Sequence, residues 1–229
     1  MHPSNFRVVG FTACPSRSEL AALAHERSVI AMEDLGSGSI HGRPGEPAVR
    51  EVVASGMDLV TFSADKLLGG PQAGLIVGTR EAVSRLRNHP MYRALRLDKV
   101  ALAALEATLA LHVSGAGTEV DRMLDEALED IEARARTLSA HLEAMNVPSE
   151  VCPGDAFTGG GALPGKRLPS WVVALEHNSP ESLSKRLRTG QPAVVGRVHQ
   201  GRYLLDLRTV HPSETEALAQ RVASAIEVG

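Results

Sequence analysis

The chain has 229 residues, 43% of them hydrophobic, and a formal net charge of −3, a composition typical of a globular protein with its own core. The weak negative charge and the few aromatic residues (Phe 4, Tyr 2, Trp 1) argue against an overall basic, base-stacking nucleic-acid surface. No apolar stretch is long enough to cross a bilayer and no signal peptide opens the sequence, so we predict a cytoplasmic location.

Cysteine and histidine usage gives no sign of a structural bridge or a metal. Cys14 and Cys152 lie far apart in the sequence, and we interpret both as free thiols. The nine histidines are scattered without the spacing of metal ligands. We therefore expect no disulfide framework and no metal site.

The amino-terminal half alternates short apolar runs with amphipathic segments. Strands are predicted at four of the runs, 6–12, 29–32, 59–62 and 75–77. Helices are predicted between and after them, at 18–27, 47–55 and 81–87. In the first helix we expect Leu20, Leu23 and Ala24 to form the buried stripe. This alternation predicts an α/β sheet covered on both faces.

Asp34 follows the second predicted strand and precedes a Gly/Ser-rich loop at 36–46. If the strand ends at residue 33, Asp34 lies at its carboxyl end, where open α/β sheets bind ligands. A carboxylate in that place can pair with a cationic ring nitrogen of a bound cofactor. The alternative interpretation is that Asp34 only caps the turn at 35–39.

Lys66 lies between two predicted strands, in the segment SADKLLGGPQAG at 63–74. Its apolar flanks predict partial desolvation, which favours the neutral amine needed for imine chemistry. The two glycines that follow let the backbone approach a ligand closely. Together with Asp34 upstream, this setting is typical of a lysine that forms a Schiff base with pyridoxal phosphate. The alternative is a solvated surface charge.

The second half of the sequence begins with helical segments and then changes character. We predict a helix at 97–111 and one long helix at 119–145. From about residue 148, strands are predicted at 149–153, 170–176, 193–199 and 202–208, with helices at 181–188 and 214–227. This order predicts a small α+β domain at the carboxyl end.

Several motifs together resemble bacterial selenocysteine synthase, the L-seryl-tRNA(Sec) selenium transferase family. They occur in the family's order and span almost the whole chain: EDLGSGS at 33–39, FSADKLLGGPQAG at 62–74, RALRLDK at 93–99, LAALEATL at 102–109, GGGALP at 159–164 and LLDLRT at 204–209. The lysine segment is long and specific, whereas the glycine triplet alone would be a weak signal.

The resemblance implies a pyridoxal-phosphate-dependent transferase of fold type I, the aspartate-aminotransferase-like class. It implies a partial large domain at 1–117, a linking helix at 118–147 and a small α+β domain at 148–229. It makes Lys66 the catalytic lysine that also holds the cofactor. It further assigns Asp34, Ser63 and Gly36 to cofactor binding.

Three arginines enter the hypothesis through the same resemblance. Arg93 and Arg96 would share one face of a helix and bind the phosphate of selenophosphate, although their spacing alone is more typical of a solvated basic face. Arg208 ends a strand at a position where related enzymes bind a free carboxylate. The carboxyl of a seryl-tRNA is esterified, so Arg208 would contact substrate or tRNA differently, or only support its strand.

The implied reaction is a β-elimination on seryl-tRNA(Sec) followed by addition of selenium from selenophosphate. Lys66 would remove the Cα proton, and Asp34 would keep the cofactor ring protonated. The implied assembly is a homo-oligomer with the site at a dimer interface. Two alternatives remain: a pyridoxal phosphate lyase or transferase for a small amino acid, in which Arg208 binds the carboxylate, and a non-catalytic remnant that only oligomerises.

The resemblance covers the carboxyl-terminal half of the family only. Family members are roughly twice this length, and residues 4–11 resemble a strand in the middle of their large domain. We therefore expect that the tRNA-binding amino-terminal domain and the first strands of the large domain have no counterpart in this chain.

Overall fold

The structure is a computed structural model that describes residues 10–159, 162–163 and 166–227. Residue contacts divide the chain into two compact units, Met1–Arg122 with Thr158–Lys166, and Met123–Phe157 with Arg167–Gly229. We call them the amino-terminal and the carboxyl-terminal unit. The domain boundaries expected from the sequence, at 117 and 147, stay a prediction.

The amino-terminal unit alternates helices and short strands before a run of helices. Its elements are α1 (Arg17–Glu26), β1 (Met32–Gly36), α2 (Val49–Ala54), β2 (Leu59–Ser63), β3 (Gly74–Gly78), α3 (Arg80–Asn88), α4 (Pro90–Leu95), α5 (Lys99–Ser114) and the first part of α6 (Glu119–Asp125). The strands predicted at 59–62 and 75–77 are confirmed as β2 and β3.

The three strands form one mixed sheet in the order β1-β2-β3. β1 and β2 are parallel, and β2 and β3 are antiparallel. Side chains alternate between the two faces of a strand, so Leu35 of β1 and Val60 and Phe62 of β2 share one face. That face buries them with residues of α1 and α2, including Ala21 and Val52. Each large apolar side chain buried this way contributes about 1.5–3 kcal/mol.

The strand expected at 29–32 is displaced towards the carboxyl end. Ser28 has a positive φ of 54°, and the amide of Val29 donates to the carbonyl oxygen of Ala24. These residues therefore complete the turn that ends α1, and Val29 and Ile30 remain exposed. The consequence is that Asp34 lies within β1 rather than after it.

Two further expectations for this unit need correction or fall outside the structure. The stripe expected for α1 is wrong at Leu20 and Leu23, which are exposed, whereas Ala24 packs half-buried against the core beside the buried Ala21; the small side chains are the ones that face the sheet. In the strand predicted at 6–12, residues 6–9 lie outside the described residues and 10–12 are not in a strand. Residues 160, 161 and 164 of the GGGALP motif also lie outside.

The carboxyl-terminal unit is an antiparallel sheet with helices packed on it. Its elements are α7 (Leu128–Ala144), β4 (Ser149–Phe157), β5 (Arg167–Glu176), α8 (Pro180–Thr189), β6 (Arg197–His199), β7 (Arg202–Asp206) and α9 (Thr215–Glu227). The strand order is β4-β5-β7-β6. Leu138 of α7, Leu187 of α8 and Val222 of α9 are buried in one core with residues of β5 and β7. The predicted α+β organisation is confirmed.

The single helix expected at 119–145 is wrong, because the chain breaks at residues 126 and 127. Ala127 has an extended backbone and caps α7 (φ −62°, ψ 142°). Glu126, in the break, accepts a hydrogen bond from the buried Arg134, which also donates to the carbonyl oxygen of Leu207. The buried guanidinium of Arg134 in α7 therefore binds both the break before α7 and the segment after β7. Helical periodicity does not reveal such contacts. α4 was not predicted from the sequence, and the helix predicted at 97–111 begins only at Lys99.

Two properties of the described residues bear on membranes and metals. No single helix is long and apolar enough to cross a membrane, although α5 and α6 taken together, with a 44° bend between them, pass that test by length and composition. No group of three or more His, Cys, Asp and Glu side chains in the same residues could hold a metal ion. Cys14 is an exposed free thiol and Cys152 a half-buried one.

Candidate functional site

The face of the amino-terminal sheet opposite its core carries polar side chains. Asp34 of β1 and Thr61 of β2 are register partners, and the Thr61 hydroxyl donates to Asp34 Oδ1 at 3.0 Å. Ser63 lies two residues beyond Thr61 and so faces the same side. Its partner on β3 is Gly74, where an added Cβ would meet no atom within 4 Å. This polar face, defined by Asp34, Thr61, Ser63 and Gly74, is open above the sheet.

Lys66 lies on the turn that follows β2. The amide of Leu67 donates to the carbonyl oxygen of Ser37 at 3.0 Å, and the amide of Gly69 donates to that of Lys66 at 3.0 Å. Ser37 lies three residues beyond Asp34, so a backbone hydrogen bond joins the loop after β1 to the turn after β2. The structure therefore brings the Asp34 strand and the Lys66 turn together at one end of the sheet.

The charges of Lys66 and Asp34 are not neutralised by the described residues. Lys66 is half-buried, and its ammonium forms no hydrogen bond or ion pair in the described part of the chain. Asp34 is exposed and receives the Thr61 hydroxyl, but no cation from those residues reaches it. Both groups are therefore available to a ligand.

The adjacent acid, Glu33, has a different role. Its carboxylate is buried and accepts two hydrogen bonds from Arg17, from Nε at 2.7 Å and Nη2 at 2.8 Å. The hydrogen bond to Glu33 raises the pKa of Arg17 above its ordinary value, so the guanidinium stays charged. Of the two neighbouring acids, Glu33 ties α1 to β1, and only Asp34 faces the open side.

The loop after β1 packs tightly against the end of β2. Gly36 and Gly38 have positive φ values of 81° and 72°. A Cβ added at Gly38 would lie 2.7 Å from both Phe62 Cδ2 and the Ser63 carbonyl oxygen, so only glycine fits there. The Ser37 hydroxyl donates to the buried Glu46, which closes the loop on itself. Gly36 thus lies at the site, next to the residue that contacts the Lys66 turn.

Arg93 and Arg96 do not share a helix face. α4 ends at Leu95, and Arg96 has an extended backbone (φ −64°, ψ 143°). Both side chains are exposed, and the described residues give neither of them a hydrogen bond or an ion pair. Arg96 lines a groove of about 1460 Å³ whose lining also includes Gly74 and Ile76 of β3. Arg96 is therefore connected to the polar face through this groove, whereas Arg93 does not line it.

Arg208 lies inside the carboxyl-terminal unit, after β7. It is buried, and its guanidinium donates to the carbonyl oxygens of Met123 at 2.8 Å and Pro169 at 2.5 Å. Its Nε is buried and has no hydrogen-bond partner in the described residues. The arrangement supports a role in holding the chain around β5 and β7, one of the two roles considered from the sequence.

Three residues at the site were missed by the sequence reasoning. Thr61 could have been found, because it alternates with Ser63 in a strand and therefore faces the same side. Ser37 acts through its backbone carbonyl, which no side-chain pattern reveals. His112 of α5 reaches the Leu68 carbonyl oxygen across 44 residues of sequence, at 2.9 Å, and no local signal predicts that contact.

Comparison with known proteins agrees with the motifs. The family model described as L-seryl-tRNA selenium transferase matches residues 1–211. The L-seryl-tRNA(Sec) selenium transferase of Hyphomonas neptunium is 45% identical over 221 residues, which are 91% of this chain and 48% of that protein. The protein of the same name from Carboxydothermus hydrogenoformans is 43% identical over 228 residues, 94% of this chain and 49% of the relative. The chain thus spans about half the length of the curated relatives it matches.

A solved structure supports the fold. D-glucosaminate-6-phosphate ammonia-lyase superposes with a TM-score of 0.54 at 21% identity, over 94% of this chain and 54% of that one. At this identity the similarity concerns the fold alone. It confirms the fold class predicted from the sequence, a partial fold type I large domain followed by a small α+β domain.

Proposed function

Because this chain belongs to the L-seryl-tRNA selenium transferase family, we propose that it carries the pyridoxal phosphate site of an enzyme that makes selenocysteyl-tRNA(Sec). The substrates would be seryl-tRNA(Sec) and selenophosphate. The observation that carries the proposal is the hydrogen bond from the Leu67 amide to the Ser37 carbonyl oxygen. It holds the turn of Lys66 beside the strand of Asp34, and neither side chain has an ion-pair partner among the described residues.

The chemistry of the polar face fits pyridoxal phosphate. Lys66 offers an amine for the aldehyde, and Asp34 offers a carboxylate for the ring nitrogen. Ser63 adds a hydroxyl on the same face, and Gly36 is the last residue of β1 next to that face, so both fit a contact with the cofactor. The open space at Gly74 leaves room for a flat ring over the sheet. The expected set Lys66, Asp34, Ser63 and Gly36 therefore stands as our proposed cofactor site.

The residues of this chain would divide the chemistry as follows. When bound, pyridoxal phosphate supplies the electron sink that makes the seryl Cα proton acidic. Lys66 would hold the cofactor through its amine and would accept that proton. Asp34 keeps a proton on the ring nitrogen. The seryl Cβ–O bond then breaks with loss of water, a Cβ–Se bond forms, and hydrolysis of the P–Se bond releases phosphate.

Arg93 and Arg96 remain our proposed contacts for the phosphate of selenophosphate. Their guanidinium groups are exposed and have no partner among the described residues, as an anion site requires. The position of Arg96 in the groove that reaches Gly74 supports its part of the assignment. For Arg208 we favour the supporting role over a substrate or tRNA contact, because its guanidinium is buried among backbone carbonyls.

The wider setting of the enzyme is part of the same proposal. A homo-oligomer with the site at a dimer interface is supported by the large exposed apolar residues near the groove, among them Met91, Tyr92 and Leu95. A cytoplasmic location is supported by the tRNA substrate.

A labelling experiment tests the cofactor site. The purified chain is incubated with pyridoxal phosphate, reduced with borohydride and mapped by peptide mass spectrometry. We expect the label on Lys66 and its loss in Lys66→Ala, while Lys185→Ala, which removes an exposed lysine of α8, keeps it. Asp34→Asn should weaken cofactor binding, because the ring nitrogen loses its anionic partner. Label on Lys99 or Lys185 instead of Lys66 would overturn the assignment.

A second experiment tests the substrate. Seryl-tRNA(Sec), selenophosphate and the cofactor are supplied together, and selenium transfer is measured against conversion of free serine. We expect transfer to the tRNA-bound residue and a loss of about 10²–10⁴-fold or more in Lys66→Ala, the range of a positioned general base. Conversion of free serine without any transfer to seryl-tRNA(Sec) would refute the selenium assignment and favour a small amino acid lyase.

A further inference from the structure

A buried polar cluster lies behind the Lys66 turn, and we name it the His112 cluster. It consists of Arg43, His112, Thr118 and Asp121. Asp121 Oδ1 accepts from Arg43 Nη2 at 2.9 Å, and Asp121 Oδ2 accepts from the amide and the hydroxyl of Thr118, both at 2.9 Å. His112 Nδ1 lies 3.8 Å from Asp121 Oδ2, and the His112 side chain is 5% exposed. The cluster thus joins α5, the start of α6 and the loop after β1.

The hydrogen bonds determine which His112 nitrogen carries a proton. Nε2 lies 2.9 Å from the carbonyl oxygen of Leu68, and a carbonyl oxygen only accepts, so Nε2 is the donor. Nδ1 makes no hydrogen bond within the described residues and faces the Asp121 carboxylate. The ring of His41 packs against the imidazole at a centroid distance of 5.8 Å. His112 is therefore held in one orientation, with its donor aimed at the backbone of the turn.

Asp121 stays ionised in this arrangement. Burial by itself would raise the pKa of Asp121, but the hydrogen bonds from Thr118 and Arg43 outweigh it and lower that pKa below its ordinary value. A negative charge therefore lies beside Nδ1, although Nδ1 forms no hydrogen bond with it among the described residues.

The Lys66 turn is held from two sides. On one side, the Ser37 carbonyl oxygen accepts from the Leu67 amide. On the other side, Gly69 has a φ of +73°, and an added Cβ there would lie 2.5 Å from Thr118 Oγ1. The imidazole of His112 also donates to the carbonyl oxygen of Leu68, two residues beyond Lys66. Without that hydrogen bond, the buried carbonyl would lack its donor, at a cost of about 1–3 kcal/mol.

We propose that His112 is a positioning residue for Lys66. It holds the turn by donating from Nε2 to the Leu68 carbonyl oxygen. The inference rests on the proposed function in one respect, that Lys66 is the lysine that reacts with pyridoxal phosphate. His112 itself lies behind the turn and touches no reacting atom.

The test removes or restores the donor. His112→Leu keeps an apolar side chain but donates nothing, whereas His112→Gln offers an amide N–H to the Leu68 carbonyl. The matched control is His141→Leu, the same change in α7 of the carboxyl-terminal unit. One readout is the rate at which borohydride traps pyridoxal phosphate on Lys66, relative to acetylation of Lys185. The other is hydrogen exchange of the amides at 67–70 without cofactor.

We expect His112→Leu to lower the trapping rate about tenfold and to raise exchange at 67–70 by a similar factor, as the loss of one buried hydrogen bond predicts. His112→Gln should restore both to within about threefold, and His141→Leu should change neither. Equal behaviour of His112→Leu and the unsubstituted chain overturns the inference, and so does a His112→Gln as impaired as His112→Leu.

Two further outcomes remain decisive. If His112→Leu fails to fold, His112→Phe tests the same hydrogen bond with an aromatic ring that donates nothing, and we expect faster exchange at 67–70; no change contradicts the inference. If the unsubstituted chain takes no label on Lys66, the proposed function fails, while the exchange readout still decides whether His112 holds the turn.

Discussion

The two units of the chain differ in where their apolar side chains go. In the carboxyl-terminal unit, α7, α8 and α9 bury one face of the sheet in a continuous core, and Val172, Ala174 and Leu204 on the other face are buried as well. In the amino-terminal unit, only one sheet face is packed that way, and the other carries Asp34, Thr61 and Ser63. Of the twenty large hydrophobic residues that are exposed among the described ones, sixteen belong to the amino-terminal unit.

This difference places most of the stabilising burial in the carboxyl-terminal unit and the candidate ligand-binding face in the amino-terminal unit. A sheet face that must hold a ligand cannot also be filled by apolar side chains, so the amino-terminal unit gives up burial where Lys66 and Asp34 lie. The carboxyl-terminal unit carries no such face, and its buried arginines bind backbone carbonyls instead. Substitutions in the carboxyl-terminal core should therefore mainly lower stability, whereas substitutions at the polar face should mainly affect ligand binding.

The largest effect on stability should come from Arg208→Met. Methionine keeps much of the apolar stem but leaves the Met123 and Pro169 carbonyls without a donor, at about 1–3 kcal/mol each. Urea unfolding followed by the fluorescence of Trp171, the single tryptophan, reports on the core against which that ring packs. Arg167→Met, at a 73% exposed side chain of β5, is the control and should change the midpoint little. Equal midpoints for both variants would contradict the supporting role of Arg208.

A comparable but smaller loss is expected for Leu138→Ala, which opens a cavity in the core of the carboxyl-terminal unit. Leu138 is 0% exposed, and such truncations cost about 2–5 kcal/mol. Leu102→Ala in α5 is the counterpart in the amino-terminal unit; Leu102 is 51% exposed, so we expect a change within about 0.5 kcal/mol. Both are measured by thermal unfolding followed by circular dichroism. A large loss for Leu102→Ala would show that its face is covered in solution and would break the comparison.

The smallest effect is the difference between two glycine substitutions in the loop after β1. Gly45→Ala has a φ of +84° and open space, so it should cost only the backbone strain of about 1–2 kcal/mol. Gly38→Ala adds clashes with Phe62 and the Ser63 carbonyl, and should cost about 1–3 kcal/mol more. Hydrogen exchange of the loop and trapping of cofactor on Lys66 measure both variants. Identical behaviour would show that the loop moves away from β2 freely.

Local sequence patterns predicted the elements well where the burial of apolar side chains alone decided the structure. β2 and β3 were found because their apolar runs are buried, and α8 and α9 because their periodicity matches one covered face. The predictions failed where a turn, a break or a helix end interrupted the pattern. The break at residues 126 and 127 depends on the buried Arg134, and the late start of β1 depends on the turn at Ser28. Arg93 and Arg96 lost their shared helix face because α4 ends between them.

The sequence by itself determined the family, the fold class and the identity of Lys66 and Asp34 as candidates, because motif order and residue type are local properties. Only the tertiary structure decided how these residues meet. The Ser37 carbonyl and the imidazole of His112 hold the Lys66 turn, and Arg17 neutralises Glu33 rather than Asp34. Hydrogen bonds between segments far apart in sequence depend on where the chain folds back, and residue order alone does not encode that geometry locally.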